Sequence, residues 1–110
     1  YSDTAVRIAD RFLIPSDLTI VHNASNPLQY YHLFWGAKEC IYKAYGKRKL
    51  GFREHIFIAE INQEEGTALG EIRYEGIHLY YDIYFKFLQE VAWVFCVEHT
   101  YTHLISKRKL

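Results

Sequence analysis

The chain contains no methionine, only two cysteines and two prolines, and no net charge, because its 13 basic residues balance its 13 acidic ones. Two cysteines are too few for a disulfide framework, and their apolar neighbours favour buried free thiols. No run approaches the ~18 apolar residues of a membrane span, and no signal-peptide pattern is present. Balanced charge excludes a global field that attracts nucleic acid or an anionic membrane. We therefore expect a cytoplasmic protein that has neither as a partner.

What the sequence does contain is apolar and aromatic: 50% of the residues are hydrophobic and 17% are aromatic. A disordered chain is depleted in these types, so we expect this one to fold. The length of 110 residues suits a single domain, residues 1–110, with a modest core. Because translation begins with methionine and this sequence starts at Tyr1, we also expect it to begin inside a longer protein.

One long amphipathic helix is predicted between Asn26 and Gly46. Asn26 can cap the helix, Pro27 suits its first turn, and Gly46 is a typical stop. At ~100° per residue, one side of this helix collects the apolar residues that we expect to face the core: Tyr30, Leu33, Phe34, Ala37, Ile41 and Ala44.

The opposite side of the same helix carries the residues of chemical interest. Trp35, Glu39 and Lys43 recur every four positions there, and Lys38 is expected towards the rim. A Glu followed four residues later by Lys is a favourable surface pair worth ~0.2–0.5 kcal/mol, which is the simplest interpretation. The neighbouring aromatic ring, the second cation and the basic residues 47–49 favour a site instead. Such a group suits a phosphorylated ligand with Mg²⁺, which binds carboxylates together with substrate phosphates.

The flanking segments predict an α+β architecture. Residues 6–13 suit a short helix that Pro15 ends, and Ser16 and Asp17 are expected to cap another brief turn. From residue 55 onward, β-branched and aromatic alternation predicts four strands, at residues 56–61, 69–74, 77–85 and 91–97. Turns at residues 62–66 and 75–76 make the first three antiparallel, and residues 86–90 are predicted as a longer connection. We therefore expect N-terminal helices, with one long helix packed on a four-stranded, mainly antiparallel sheet.

The helix run Trp35-Gly36-Ala37-Lys38-Glu39-Cys40-Ile41-Tyr42-Lys43 is similar to the W-x-x-K-E-[AS]-x-x-K signature of the Sfp-type 4′-phosphopantetheinyl transferases. Residues 7–13 and 52–56 also resemble the family's upstream helix and its entry to the strands. The resemblance covers most of the chain. It corresponds to the family's C-terminal subdomain, which is one half of a pseudo-dimeric fold.

This resemblance implies transfer of 4′-phosphopantetheine from coenzyme A to a serine of an acyl or peptidyl carrier protein, at a Mg²⁺ site between two similar subdomains. By motif position, Glu39 would be a metal ligand and a candidate general base. Lys43 would be a catalytic contact to coenzyme A phosphate. Lys38 and Trp35 would belong to the coenzyme A-binding part of the site, Lys38 through its charge and Trp35 by ordering the motif helix.

Two departures from the family pattern limit the expectation. Cys40 replaces the usual Ala or Ser, which is a conservative change. The family's G-x-D-x-E metal motif is absent and in family order would precede Tyr1, so we expect the chain to be inactive without a first subdomain or partner chain. A non-catalytic coenzyme A- or partner-binding module on the same fold is an alternative, as is a single-stranded RNA binder that uses the aromatic residues 80–85. The residues encoded before Tyr1 would separate the enzyme from the module.

Overall fold

The computed structural model describes residues 8–46, 50–89 and 91–99, which form three helices and one four-stranded antiparallel sheet. The elements are α1 (Ala9–Phe12), α2 (Pro15–Asn23), α3 (Pro27–Tyr45), β1 (Ile56–Asn62), β2 (Thr67–Tyr74), β3 (Ile77–Leu88) and β4 (Val91–His99). The strand order is β1-β2-β3-β4, so strands that pair are also consecutive in sequence. The predicted α+β class, with a long helix on a four-stranded sheet, is confirmed. None of the described helices combines the length and the apolarity that a membrane crossing requires.

The long helix α3 begins and ends where its terminal residues dictate. The Asn26 side chain accepts a hydrogen bond from the Gln29 amide at 3.5 Å, and Pro27 occupies the first turn. Gly46 follows in the left-handed conformation, with φ at 72°, which glycine adopts without steric penalty. Its amide donates to the Tyr42 carbonyl at 3.3 Å. Both predicted boundaries of this helix are confirmed.

The two helices before α3 are short, and their boundaries differ from the prediction. Pro15 begins α2 rather than only ending the preceding helix, because a residue without an amide hydrogen suits the first turn. Asp17 stabilises this start, since its Oδ2 accepts a hydrogen bond from the Ile14 amide at 3.2 Å. The helix continues to Asn23, longer than the brief turn predicted there. The part of the predicted first helix before Ile8 lies outside the described residues.

The core lies between α3 and one face of the sheet. On the helix, its fully buried members are Leu33, Phe34, Ala37 and Ile41. On the sheet, its buried members alternate along the strands: Ile56, Ile58, Ala68, Ile72, Tyr81, Ile83 and Phe85. The predicted core side of α3 is thus confirmed in its middle. At its ends the prediction is too broad, because Tyr30 is half-buried and Ala44, in the last turn, is exposed.

The β2–β3 connection agrees with the prediction, and the β3–β4 connection differs from it. The β2–β3 hairpin turns at Glu75 and Gly76, whose positive φ values of 47° and 82° are typical of a tight two-residue turn. The longer connection predicted for residues 86–90 is wrong, because β3 runs to Leu88, which pairs with Val91. Lys86 is exposed on the outer face of β3, so a polar residue there continues the alternation of a strand and does not end it.

A glycine in β2 lets α3 approach the sheet closely. A Cβ added at Gly70 would overlap the Cδ1 methyl of Ile41 and lie 3.0 Å from Cδ1 of Ile83. We therefore expect Gly70→Ala to lower the free energy of unfolding by about 1–3 kcal/mol, the usual range for overpacking a core, in urea titrations. Gly36→Ala is the comparison variant, and we expect it to cost less stability. Its Cβ would meet Val94 Cγ2 at 3.1 Å, and the better helix propensity of alanine offsets that contact by up to about 1 kcal/mol. A larger loss for Gly36→Ala than for Gly70→Ala would contradict this view of the packing.

The outer face of the sheet is apolar along its β4 edge. Trp93, Phe95 and Val97 are 66%, 59% and 52% exposed. Phe95 also stacks on Tyr84 of β3, with 5.0 Å between ring centroids. The strand therefore presents large apolar side chains on the face that α3 does not cover.

Candidate functional site

Two motif residues of α3 project away from the core, as predicted. Glu39 and Lys43 form an ion pair with 3.5 Å between Oε2 and Nζ, and their side chains are 40% and 73% exposed. An exposed pair of this kind adds little to stability, because water screens both charges. A carboxylate and an ammonium are therefore held close together on a surface that a ligand can reach.

Lys38, the third charged motif residue, does not lie at the rim as predicted. Its side chain is completely buried. Its Nζ donates to the carbonyl oxygens of Phe12 at 2.6 Å and Phe52 at 3.0 Å, and to Asp17 Oδ2 at 3.4 Å. Position 38 lies on the flank of the helix, as the sequence pattern predicts. The segments that carry these acceptors pack over that flank, and the sequence pattern of the helix alone does not show this packing. Burial lowers the pKa of Lys38, while the charge of Asp17 and its hydrogen bond oppose the shift.

Trp35 is half-buried and packs against two aromatic rings. Its ring centroid is 5.4 Å from that of Phe12 in α1 and 5.5 Å from that of Phe52 in the loop before β1. Tyr42 packs on the same Phe52 ring at 5.3 Å. Aromatic contacts of this kind are worth about 0.5–1.5 kcal/mol each beyond the area that they bury. Trp35 therefore fixes α3 against the segments on either side of it in sequence.

Sequence reasoning missed Asp17 and Phe52 as neighbours of the motif. It identifies Asp17 only as a helix cap and Phe52 only as part of the entry to the strands. Their contacts with Lys38 join residues 21 and 14 positions apart, and no local pattern reports contacts over such separations. The one available signal is the position of Lys38 itself, next to the buried Ala37 and on the edge of the apolar side of the helix.

Glu39 is the motif residue with the donor chemistry of a metal ligand. Mg²⁺ is commonly held by one or two carboxylates together with substrate phosphates. Within residues 8–46, 50–89 and 91–99, no group of three or more His, Cys, Asp or Glu side chains is arranged to hold a metal. Among the described motif residues, Glu39 is therefore the one carboxylate available to a metal ion. The basic residues 47–49, predicted beside the site, lie outside the described residues.

The two cysteines meet between α3 and β4. Both are free and half-buried, which is less burial than the sequence predicts. Cys40 Sγ donates to the Val94 carbonyl oxygen at 3.5 Å. Burial, together with the neighbouring Cys40, raises the pKa of the Cys96 thiol to about 12. Cys96 is therefore protonated at physiological pH.

We expect Cys96 in the folded protein to resist alkylation. A thiol with a pKa of about 12 is ionised roughly a thousandfold less at pH 8 than an ordinary thiol with a pKa of about 8.5, and only the thiolate reacts. The rate should rise about tenfold per pH unit above pH 8. A short iodoacetamide pulse followed by peptide mass spectrometry, which distinguishes Cys96 from Cys40, checks this in the unaltered protein, with the protein unfolded in guanidinium as the reference. Equal labelling of Cys96 in the folded and unfolded protein would contradict the expectation.

The aromatic segment 80–85 does not form one continuous platform for bases. Tyr81 and Phe85 are buried on the core face of the sheet. Tyr80 and Tyr84 point to the other face, because side chains alternate along a strand. An RNA-binding surface on this segment therefore lacks two of the rings that it would use.

The comparison with known families identifies the class of protein. The family model described as the 4′-phosphopantetheinyl transferase superfamily matches residues 1–102. The chain belongs to this superfamily, which confirms the resemblance seen in the sequence. Comparisons with curated proteins and with solved structures gave no significant match. Membership in the superfamily supports a transferase of phosphopantetheine groups as the general class of activity.

Proposed function

We propose that this chain supplies part of the active site of a Mg²⁺-dependent enzyme that transfers 4′-phosphopantetheine from coenzyme A to a serine of an acyl or peptidyl carrier protein. The observation that supports it best is the exposed ion pair of Glu39 and Lys43 on α3, 3.5 Å apart, in a chain of this superfamily. Glu39 and Lys43 occupy two of the three charged positions of the signature that the sequence resembles, and both are accessible.

The proposed reaction is a substitution at phosphorus. The serine hydroxyl oxygen of the carrier forms a bond to the pyrophosphate phosphorus next to pantetheine. The bond from that phosphorus to the bridging oxygen breaks, and the adenosine bisphosphate leaves with the electron pair. The hydroxyl proton passes to a base, for which Glu39 is the candidate in this chain. Positioning and neutralisation of charge supply most of the catalysis in such a reaction.

The two exposed residues have complementary tasks in this proposal. Glu39 would hold Mg²⁺, which when bound neutralises phosphate charge. Lys43, one turn further along the same side of α3, would bind a coenzyme A phosphate. Because the Glu39–Lys43 pair is exposed, exchanging each partner for a metal ion or a phosphate costs little.

The two remaining motif residues have a supporting position. The coenzyme A-binding roles of Lys38 and Trp35 stay predictions. The buried hydrogen bonds of Lys38 and the ring contacts of Trp35 favour an indirect contribution, in which both residues hold α3 in place. The described residues offer one motif carboxylate, so we propose that a first subdomain or a partner chain completes the site.

The test is an assay of the longest protein that contains this chain, including any residues encoded before Tyr1. Incubation with coenzyme A, Mg²⁺ and an apo acyl carrier protein should add one phosphopantetheine group to the carrier, measured by intact-mass spectrometry. Chelation of Mg²⁺ with EDTA should stop the addition. If coenzyme A binds in calorimetry but the carrier gains no mass, the alternative of a non-catalytic coenzyme A-binding module is favoured instead.

A further inference from the structure

Lys38 joins three segments that are separate in sequence. An ammonium group has three N–H donors and no acceptor. Lys38 meets three acceptors: the carbonyl of Phe12 at the end of α1, the carboxylate of Asp17 in the first turn of α2, and the carbonyl of Phe52 before β1. The side chain is 0% exposed. Its donors are thus used inside the protein and are not directed to a ligand.

Two of these three partner residues contact α3 in two ways, through a backbone carbonyl and through an aromatic ring. Phe12 and Phe52, whose carbonyl oxygens accept from Lys38, are also the residues whose rings pack against Trp35 at 5.4 Å and 5.5 Å. Trp35 and Lys38 are three residues apart in α3, so they lie one turn apart on adjoining parts of its surface. One turn of the motif helix therefore holds both the backbone and the rings of Phe12 and Phe52.

Asp17 compensates the buried charge at the centre of this arrangement. Its side chain is 7% exposed, and its Oδ2 lies 3.4 Å from Lys38 Nζ and accepts from the Ile14 amide. A buried ammonium without a counter-charge is costly, so the arrangement depends on this carboxylate. We propose that Asp17 is a positioning residue of the transferase site: through Lys38 it holds α1 and the loop before β1 against α3, and so orients the side of α3 that carries Glu39 and Lys43. This inference rests on the proposed function and implies that Lys38 does not contact coenzyme A.

Two neutralising substitutions test the pair itself. Asp17→Asn keeps an oxygen for the Ile14 amide but removes the charge, and Lys38→Met removes all three N–H donors. Each single variant leaves a buried group without its partner, so each should lower the melting temperature, and the double variant should lose less than the sum. Lys86→Met, at an exposed lysine of β3, is the matched control and should combine additively with Asp17→Asn. Additive effects of Asp17→Asn and Lys38→Met would overturn the pairing.

Steady-state kinetics with coenzyme A and an apo acyl carrier protein separate positioning from binding. A displaced α3 moves Glu39 and Lys43 together, so kcat should fall at least about tenfold for Asp17→Asn and for the double variant, and KM for coenzyme A should rise in both because Lys43 is the proposed phosphate contact. A lower kcat at unchanged KM would reflect only a smaller folded fraction, and a raised KM confined to the double variant, which lacks Lys38, would show that Lys38 itself meets coenzyme A; either result would overturn the proposal. If the unaltered protein transfers nothing, the proposed function fails, while the melting experiment still decides whether Asp17 and Lys38 act as a pair.

Discussion

Replacement of Glu39 by alanine is expected to abolish phosphopantetheine transfer, with a loss of at least about a hundredfold in kcat/KM, the lower end of what a positioned acid or base contributes. The side chain is 40% exposed and lies 3.5 Å from Lys43, so it is both accessible and next to the proposed phosphate contact. The substitution removes the proposed Mg²⁺ ligand and the candidate base together. The rate at which the carrier protein gains mass is the measurement.

Two further variants make this result specific. Glu39→Gln keeps the shape of the side chain but loses its charge, and it should lose as much activity as the alanine variant. Glu64→Ala removes an exposed carboxylate from the β1–β2 turn and should transfer at the unaltered rate. The exposed pair with Lys43 contributes only about 0.3–0.5 kcal/mol to stability. The melting temperature of each variant should therefore lie within a few degrees of that of the unaltered protein. Full activity of Glu39→Ala would contradict the proposed metal role.

Phe34→Ala should have the largest effect on stability among single truncations in α3. Phe34 is 0% exposed, and its removal leaves a cavity between the helix and the sheet. Comparable truncations of buried Phe cost about 3–5 kcal/mol, because the lost transfer free energy and the cavity add. Urea titrations followed by circular dichroism measure the difference.

The neighbouring Trp35→Ala is the comparison that tests the assignment of helix sides. Trp35 is half-buried and its ring contacts come from α1 and the loop before β1 rather than from the sheet. We therefore expect Trp35→Ala to cost less than Phe34→Ala, and Trp35→Phe, which keeps an aromatic ring beside Phe52, to cost less again. The reverse order for Phe34 and Trp35 would show that the core side of α3 is wrongly assigned.

The helix and sheet pattern follows from the sequence because its causes are local. Asn26, Pro27 and Gly46 set the limits of α3 through the conformations and hydrogen bonds of adjacent residues. The β2–β3 turn depends in the same way on Glu75 and Gly76. Periodicity also places Glu39 and Lys43 away from the core, since a helix has one fixed angle per residue.

Contacts between distant segments set the rest of the site, and periodicity does not contain them. Lys38 is charged and lies on the flank of α3, so the pattern predicts exposure at the rim. Its burial results from the carbonyls of Phe12 and Phe52 and the carboxylate of Asp17, which reach it only after the chain has folded. The family signature likewise contains Trp35 and Lys38 beside the exposed pair, without separating residues that pack inside the fold from residues on its surface.

The chain's two tryptophans have different surroundings, so tryptophan fluorescence can report on the candidate site. Trp93 is 66% exposed on the sheet, whereas Trp35 lies against Phe12 and Phe52, one helical turn before Glu39. In a Trp93→Phe variant, indole fluorescence would come from Trp35 alone. Its emission wavelength and its quenching by acrylamide would then follow the polarity beside α3, so that displacement of the two phenylalanine rings is visible without an attached dye.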